Sequence, residues 1–180
     1  MAREPKQHEK VGEEFLSADT TPPDASHRFP FPPEVVWAAL LDGKAWTEWL
    51  PLTKVTWTSP EPFGPGTTRT VEAGGAAIEE TFYAWEEGQR MAFRFERSPL
   101  PIKAGAEDYR VVPAPGGCEL RWWGKAKAIF PLGWLVTRQL RPGLQQGLPE
   151  LEAPTAQAPA PFPRRRQRYS SPAPGTSRAR

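Results

Sequence analysis

The sequence predicts a single α+β domain with an antiparallel sheet, two short helices near its start and a long helix at its end. Its 180 residues, 38% of them hydrophobic, are enough for one compact core but not for two full domains. Hydrophobic and polar residues alternate along several consecutive segments that Gly- and Pro-containing turns separate, which is typical of antiparallel strands. Later in the chain, apolar residues recur at helical spacing.

Two short helices are predicted early in the chain, after a first strand. Pro33 and Glu34 suit the first turn of a helix, and a run of apolar residues follows them. A second helical segment spans residues 44–50 and carries Trp46 and Trp49 three positions apart, on one side. We expect both indoles to be buried against the sheet, whereas exposed indoles would indicate contact with a partner or a membrane surface.

A six-stranded antiparallel meander is predicted for residues 54–130. Its clearest strand spans residues 89–96, where Met91, Phe93 and Phe95 face one side of the sheet. Short turns between the strands contain glycine or proline, which favours hairpins.

The closing helix is predicted for residues 132–151, because apolar side chains at spacings of four, four, four and three fall on one helix face. These side chains are Val136, Leu140, Leu144, Leu148 and Leu151. Pro142 and Pro149 predict a kink and a frayed end.

Charge and composition divide the chain into three parts. Residues 154–180 hold six arginines and no acidic residue, so the first 153 residues carry 17 basic and 21 acidic side chains, a net charge of −4. The Pro- and Arg-rich end cannot bury enough apolar surface to offset the entropy lost on ordering. We therefore predict a loose segment over residues 1–17, a folded domain over 18–151 and a disordered tail over 152–180.

The composition also bears on metal sites and cell compartment. One cysteine, Cys118, and two histidines, His8 and His27, exclude an internal disulfide and a structural zinc site. Adjacent glutamates such as Glu79 and Glu80 project to opposite faces of a strand and cannot chelate one ion, so we expect no metal and no cofactor. The charged first residues lack the apolar stretch of a signal peptide, and no run of about 18 apolar residues occurs, which predicts a cytoplasmic protein.

Four short motifs occur in a specific order. They are Phe-Pro-Pro-Glu-Val-Val-Trp at 31–37, Trp-Thr-Glu-Trp-Leu-Pro at 46–51, Gly-Pro-Gly-Thr at 64–67 and Glu-Thr-Phe-Tyr-Ala-Trp at 80–85. Through these motifs, residues 18–151 resemble the polyketide cyclase/dehydrase-like branch of the SRPBCC (START/Bet v 1-like) superfamily. The resemblance implies a helix-grip fold, in which a curved antiparallel sheet of about seven strands wraps around a long C-terminal helix and leaves a cavity for a hydrophobic small molecule.

Side chains with the strand parity of Phe93 define the predicted cavity wall. The sheet contributes Val55, Trp57, Ile78, Phe82, Met91, Phe93, Phe95, Leu120 and Trp122, and the closing helix contributes Val136, Leu140 and Leu144. The alternative is an ordinary packed core with no void. The family resemblance favours the cavity, and the small residues Gly124, Ala126 and Ala128 on the same face would leave volume unfilled.

Two polar residues are catalytic candidates. Glu80 shares the face of the cavity wall, where burial would raise the pKa of its carboxyl and suit it to acid–base chemistry. The sequence favours the other interpretation, an exposed Glu80 paired with Arg69 or Arg94. Tyr109 would offer its hydroxyl to a ligand, or its ring would pack while the hydroxyl reaches solvent. No nucleophile motif accompanies them, so an enzymatic role rests on the family alone.

Three functions are compatible with these observations. The favoured one is binding of a hydrophobic, ring-containing small molecule or lipid. The alternative is a polyketide aromatase/cyclase-type enzyme that uses Glu80 or Tyr109. The third is an interaction adaptor whose four clustered arginines at 164–168 give the tail a weak attraction to anionic surfaces, without specific nucleic-acid recognition. For the tail itself, a solvated extension or an out-of-frame gene end is the better interpretation.

Overall fold

Eight strands form one antiparallel sheet in the part of the chain that the structure describes, residues 4–129 and 145–157. The structure is a computed structural model. In chain order the elements are β1 (Lys6–Gln7), α1 (Glu13–Leu16), β2 (Ala25–Phe29), α2 (Pro33–Leu41), α3 (Gly43–Trp49), β3 (Lys54–Trp57), β4 (Thr68–Ala73), β5 (Ala76–Glu86), β6 (Arg90–Ser98), β7 (Ile102–Ala114), β8 (Gly117–Ala128), a 3-10 helix (Leu148–Leu151) and α4 (Glu152–Gln157). The strand order is β2-β8-β7-β6-β5-β4-β3, and β1 pairs with β6.

The predicted α+β helix-grip fold is confirmed. The sheet is curved and antiparallel, α2 and α3 follow β2, and the C-terminal segment is helical. Three residues of the predicted closing helix, Val136, Leu140 and Leu144, lie outside the described residues. Within the described ranges, no helix has the length and apolar character needed to cross a membrane.

Helices α2 and α3 are joined at Asp42, which ends the first helix and caps the second. The Lys44 amide donates a hydrogen bond to the Asp42 carboxylate at 2.9 Å. Both Trp46 and Trp49 are buried, as predicted. The Trp46 indole N–H donates to the Leu40 carbonyl at 2.8 Å, so the two helices hold the ring against the sheet.

From Lys6 on, the N-terminal segment lies against the sheet, whereas the sequence predicted a loose segment over residues 1–17. β7 pairs with β6 as far as Arg94. Beyond that point, at Arg97 and Ser98, β1 pairs with β6 in place of β7. The buried His8 imidazole contacts the Ser98 hydroxyl at 2.7 Å and the Ile102 carbonyl at 3.1 Å. Backbone pairing and these two hydrogen bonds fix the segment where β6 and β7 separate.

A buried aspartate fixes the next part of the N-terminal segment on the outer face of the sheet. Asp108 accepts hydrogen bonds from Arg90 at 2.7 Å and from Arg110 at 3.0 Å. Arg90 also pairs with Glu13 at 2.6 Å, and Arg110 pairs with Asp19 at 2.7 Å. The two arginines therefore connect the sheet to the segment that covers it.

The C-terminal helical segment packs beyond the predicted domain limit of residue 151. Leu148 and Leu151 are fully buried in the main core. α4 follows, with Pro154 and Thr155 buried, and its first residue pairs with His27 of β2 at 2.7 Å. The part of the predicted tail beyond residue 157 lies outside the described residues.

We expect Leu151→Ala to lower the free energy of unfolding by about 3 kcal/mol, because a buried leucine loses both its burial and its packing contacts. Urea denaturation measures this change. The neighbouring Glu150 is exposed, so Glu150→Ala is the control and should change the free energy of unfolding by no more than about 0.5 kcal/mol. Equal effects of the two substitutions would contradict the packing of this segment.

Candidate functional site

A cavity of about 280 Å³ lies between the inner face of the sheet and helix α3. Strand alternation directs side chains from β4 to β8 into it, and α3 and the loop that follows α3 line its opposite side. The apolar wall consists of Trp46, Leu50, Pro51, Leu52, Val71, Ala73, Ile78, Phe93, Phe95, Leu100, Ile102 and Ala126. Four polar residues complete the wall: Arg69, Glu80, Glu107 and Tyr109.

Three of the predicted wall residues, Ile78, Phe93 and Phe95, line this cavity. Both catalytic candidates, Glu80 and Tyr109, also face it. The structure places the other described members of the predicted wall in or against the adjoining core instead: Val55, Trp57, Phe82, Met91, Leu120 and Trp122. The three predicted wall residues of the closing helix lie outside the described residues.

Aromatic packing explains why part of the inner face holds no void. The Trp57 ring stacks on the Phe63 ring, with their centres 4.5 Å apart, and its centre lies 5.3 Å from that of Phe82. The ring centres of Phe82 and Trp85 are 5.2 Å apart. Phe63 belongs to a turn between β3 and β4. Because this loop residue folds back over the strands, parity alone could not separate the packed part of the inner face from the open part.

Arg69 and Glu80 form a buried ion pair on the cavity wall. They are cross-strand partners on β4 and β5, and the Arg69 Nε–H donates to Glu80 Oε2 at 2.5 Å. Arg69 is 2% exposed and Glu80 is 4% exposed. The expectation of an exposed Glu80 is therefore wrong, although its pairing with Arg69 is confirmed.

Aromatic rings hold the Arg69 guanidinium in place. Its central carbon lies 4.3 Å from the Trp46 ring centre and 4.4 Å from the Phe93 ring centre. Its Nη1 is buried and has no hydrogen-bond partner among the described residues. Sequence reasoning missed Arg69 as a cavity residue. The available signal was that Arg69 lies two residues before Val71 on β4, and residues two apart on a strand share a face.

Glu107 is a second acid on the cavity wall, half-buried, that sequence reasoning missed. Tyr109 donates its O–H to Glu107 Oε2 at 2.8 Å, and Trp122 donates its indole N–H to the same oxygen at 3.1 Å. Tyr109 is fully buried, so the alternative in which its hydroxyl reaches solvent is wrong. The signal for Glu107 was its spacing from Tyr109. Residues two apart on one strand share a face, so Glu107 faces the same side as the candidate Tyr109.

Gly124 provides the space that the Trp122 ring occupies. A Cβ atom at position 124 would overlap that ring. The space that the small residue leaves at position 124 is therefore filled by the Trp122 indole. The space beside Ala126, in contrast, is part of the cavity.

Burial dominates the electrostatics of the polar wall. Burial raises the pKa of Glu80 to about 7, against the opposing attraction of Arg69. Burial likewise raises the pKa of Glu107, opposed by the hydrogen bonds from Tyr109 and Trp122, and it raises the pKa of Tyr109 well above its ordinary value. Within the described residues, no three His, Cys, Asp or Glu side chains are grouped so that they could hold a metal ion.

Glu80 makes stability depend on pH with a defined sign. An acid whose pKa rises from 4.5 to about 7 on folding binds more protons in the folded state across that interval, so the free energy of unfolding falls as pH increases. We expect wild type to lose on the order of 2 kcal/mol relative to Glu80→Gln between about pH 4.5 and pH 7. Urea denaturation at several pH values measures the difference.

The wild-type curve alone does not isolate Glu80, because His8 changes the free energy of unfolding with pH in the opposite direction. Burial lowers the pKa of His8, which makes the folded state lose stability as pH decreases. Glu79→Gln is the matched control, because Glu79 is the exposed neighbour of Glu80 on the opposite face. If the Glu80→Gln and wild-type curves run parallel, Glu80 does not titrate in this interval.

The chain matches a known protein family and has bacterial relatives. A family model described as polyketide cyclase / dehydrase and lipid transport matches residues 24–153. Uncharacterised proteins of Mycobacterium tuberculosis (strain H37Rv) and Mycobacterium bovis are each 56% identical over 102 residues, which is 55% of this chain and 61% of their own length. The chain therefore matches about three fifths of the length of these relatives.

Solved structures share the fold at low sequence identity. A protein from Thermus thermophilus has a TM-score of 0.61 at 19% identity, over 74% of this chain and 96% of that chain. Ara h 8.0201 has a TM-score of 0.58 at 17% identity, over 73% of this chain and 95% of its own. With the family model matching most of its length, the chain belongs to the polyketide cyclase/dehydrase and lipid transport family, within the SRPBCC (START/Bet v 1-like) superfamily that its motifs resemble.

Proposed function

We propose that this protein binds a hydrophobic, ring-containing small molecule or lipid in the cavity between the sheet and helix α3. The observation that carries the proposal is the cavity itself, about 280 Å³ with a mainly apolar wall and four polar side chains. Small-molecule sites commonly combine a largely apolar, preformed cavity with a few fixed polar groups. Aromatic side chains such as Trp46 and Phe93 offer ring faces that suit a ring-containing ligand.

Filling the cavity should abolish binding. Ala126 lines the cavity away from the Arg69–Glu80 pair, so Ala126→Phe should occupy ligand volume without removing a polar group. We expect the affinity for N-phenyl-1-naphthylamine, a neutral fluorescent probe, to fall at least about tenfold. Fluorescence titration measures the affinity, and circular dichroism checks that the variant folds.

Ala77→Phe is the matched control, because Ala77 is exposed next to the inward-facing Ile78. This control should bind the probe as tightly as wild type. If Ala126→Phe and Ala77→Phe bind the probe equally well, the cavity is not the binding site. Native mass spectrometry of freshly purified protein then identifies any natural ligand that co-purifies.

A second candidate function is an aromatase/cyclase-type enzyme, and the acids of the cavity wall favour it. The pKa of Glu80 near 7 would let that carboxyl exchange protons at neutral pH, and Tyr109 faces the same cavity. The hydrogen bond from the Tyr109 hydroxyl to the Glu107 carboxylate provides a second pair of groups that could transfer a proton.

Two substitutions separate the binding function from the enzyme. We expect Glu80→Gln and Tyr109→Phe to keep the affinity for N-phenyl-1-naphthylamine within about threefold, because apolar contacts dominate that interaction. We also expect wild type to leave a poly-β-ketone analogue unchanged. Turnover of that analogue by wild type, lost in either variant with probe binding intact, would establish the enzyme instead.

We further propose a cytoplasmic location and a weak attraction of the basic tail to anionic surfaces, which the composition and the charge pattern support. The tail arginines lie outside the described residues, so the adaptor function draws no support from the site.

A further inference from the structure

We propose that the Arg69 guanidinium binds a neutral carbonyl oxygen of the ligand, and that the cavity discriminates against ligands that carry a carboxylate. The inference rests on the proposed binding function and specifies the chemical class of its ligand. It follows from three properties of the polar wall: unused hydrogen-bond donors, a fixed guanidinium and an excess of acidic groups.

The first property is the number of unused donors on Arg69. A guanidinium has five N–H groups, and the described residues supply an oxygen acceptor for Nε alone, from Glu80. Nη1 is buried without any partner among those residues. Nη2 also has no acceptor among the described residues, and unlike Nη1 it is not fully enclosed, so a ligand oxygen in the cavity would be stabilised by bonding to it.

The other donors of the wall are already used. Tyr109 donates its O–H to Glu107, and Trp46 donates its indole N–H to the Leu40 carbonyl. Among the described polar groups of the wall, Arg69 is therefore the one with free donors for a ligand oxygen.

The second property is that the guanidinium is held before any ligand binds. The rings of Trp46 and Phe93 lie 4.3 Å and 4.4 Å from its central carbon, and Glu80 holds Nε. Ring faces stabilise the positive charge, but they are weak hydrogen-bond acceptors compared with a carbonyl oxygen. A ligand carbonyl would thus meet a preorganised donor and would add little ordering cost.

The third property is the charge around Arg69. Among the described residues of the wall, Glu80 and Glu107 accompany one cation, Arg69. A ligand carboxylate would become the third acidic group in a mainly apolar site, which is unfavourable. A neutral carbonyl accepts the same hydrogen bonds without adding charge.

Three naphthalenes of similar size test this inference: 2-acetylnaphthalene, 2-ethylnaphthalene and 2-naphthoate. At about pH 8, above the Glu80 pKa of about 7, we expect the ketone to bind at least about tenfold more tightly than either of the others. Isothermal titration calorimetry measures the three affinities. In a cavity without a free donor the hydrocarbon would bind most tightly, because it loses no hydrogen bonds to water.

Arg69→Met removes the donors and keeps a long apolar side chain. It should abolish the preference for the ketone over 2-ethylnaphthalene. Should this variant fail to fold, the infrared C=O stretch of bound 2-acetylnaphthalene in wild type provides the same test. A hydrogen bond from the guanidinium shifts that band to lower wavenumber than in an apolar solvent.

The outcomes separate this inference from the proposed function. If 2-ethylnaphthalene binds wild type as tightly as the ketone, or 2-naphthoate binds more tightly, the carbonyl assignment is wrong while the hydrophobic binding function stands. An unshifted carbonyl band leads to the same conclusion. If none of the three compounds binds, both the inference and the proposed function are wrong.

Discussion

The ion pair between Arg69 and Glu80 links the sheet, helix α3 and the cavity. Strand register places the two residues opposite each other on β4 and β5, and the guanidinium lies against Trp46 of α3. Loss of either partner would leave a buried charge uncompensated, so the pair constrains the position of the strands and of the helix together. The polar part of the cavity is therefore built by the same contacts that hold α3 on the sheet.

Strand alternation and turn residues allowed most of the fold to be predicted from the sequence. The hairpins, the two early helices and the burial of Trp46 and Trp49 follow from local pattern, because each depends on residues close together in the chain. Parity also placed Ile78, Phe93 and Phe95 on the inner face, where they line the cavity.

The rest depends on contacts between distant segments, which periodicity does not encode. Phe63 folds over Trp57 from a loop, and this packing decides which inward side chains meet a void and which meet another ring. Parity with Val71 puts Arg69 on the inner face, but its burial depends on contacts with α3 and the aromatic rings, which the polar sequence neighbours of Arg69 do not reveal. In the same way, the N-terminal segment showed no periodicity, yet a gap between two strands orders it.

This N-terminal segment supports the cavity wall from outside the residues that define the family. His8 hydrogen-bonds to the backbone of Ile102, whose side chain lines the cavity, whereas the family match begins at residue 24. The shape of the wall is thus set partly by a stretch of chain that family members need not share. The shape of the cavity can therefore differ between homologues whose cavity-lining residues are identical, through changes in a segment that does not line the cavity.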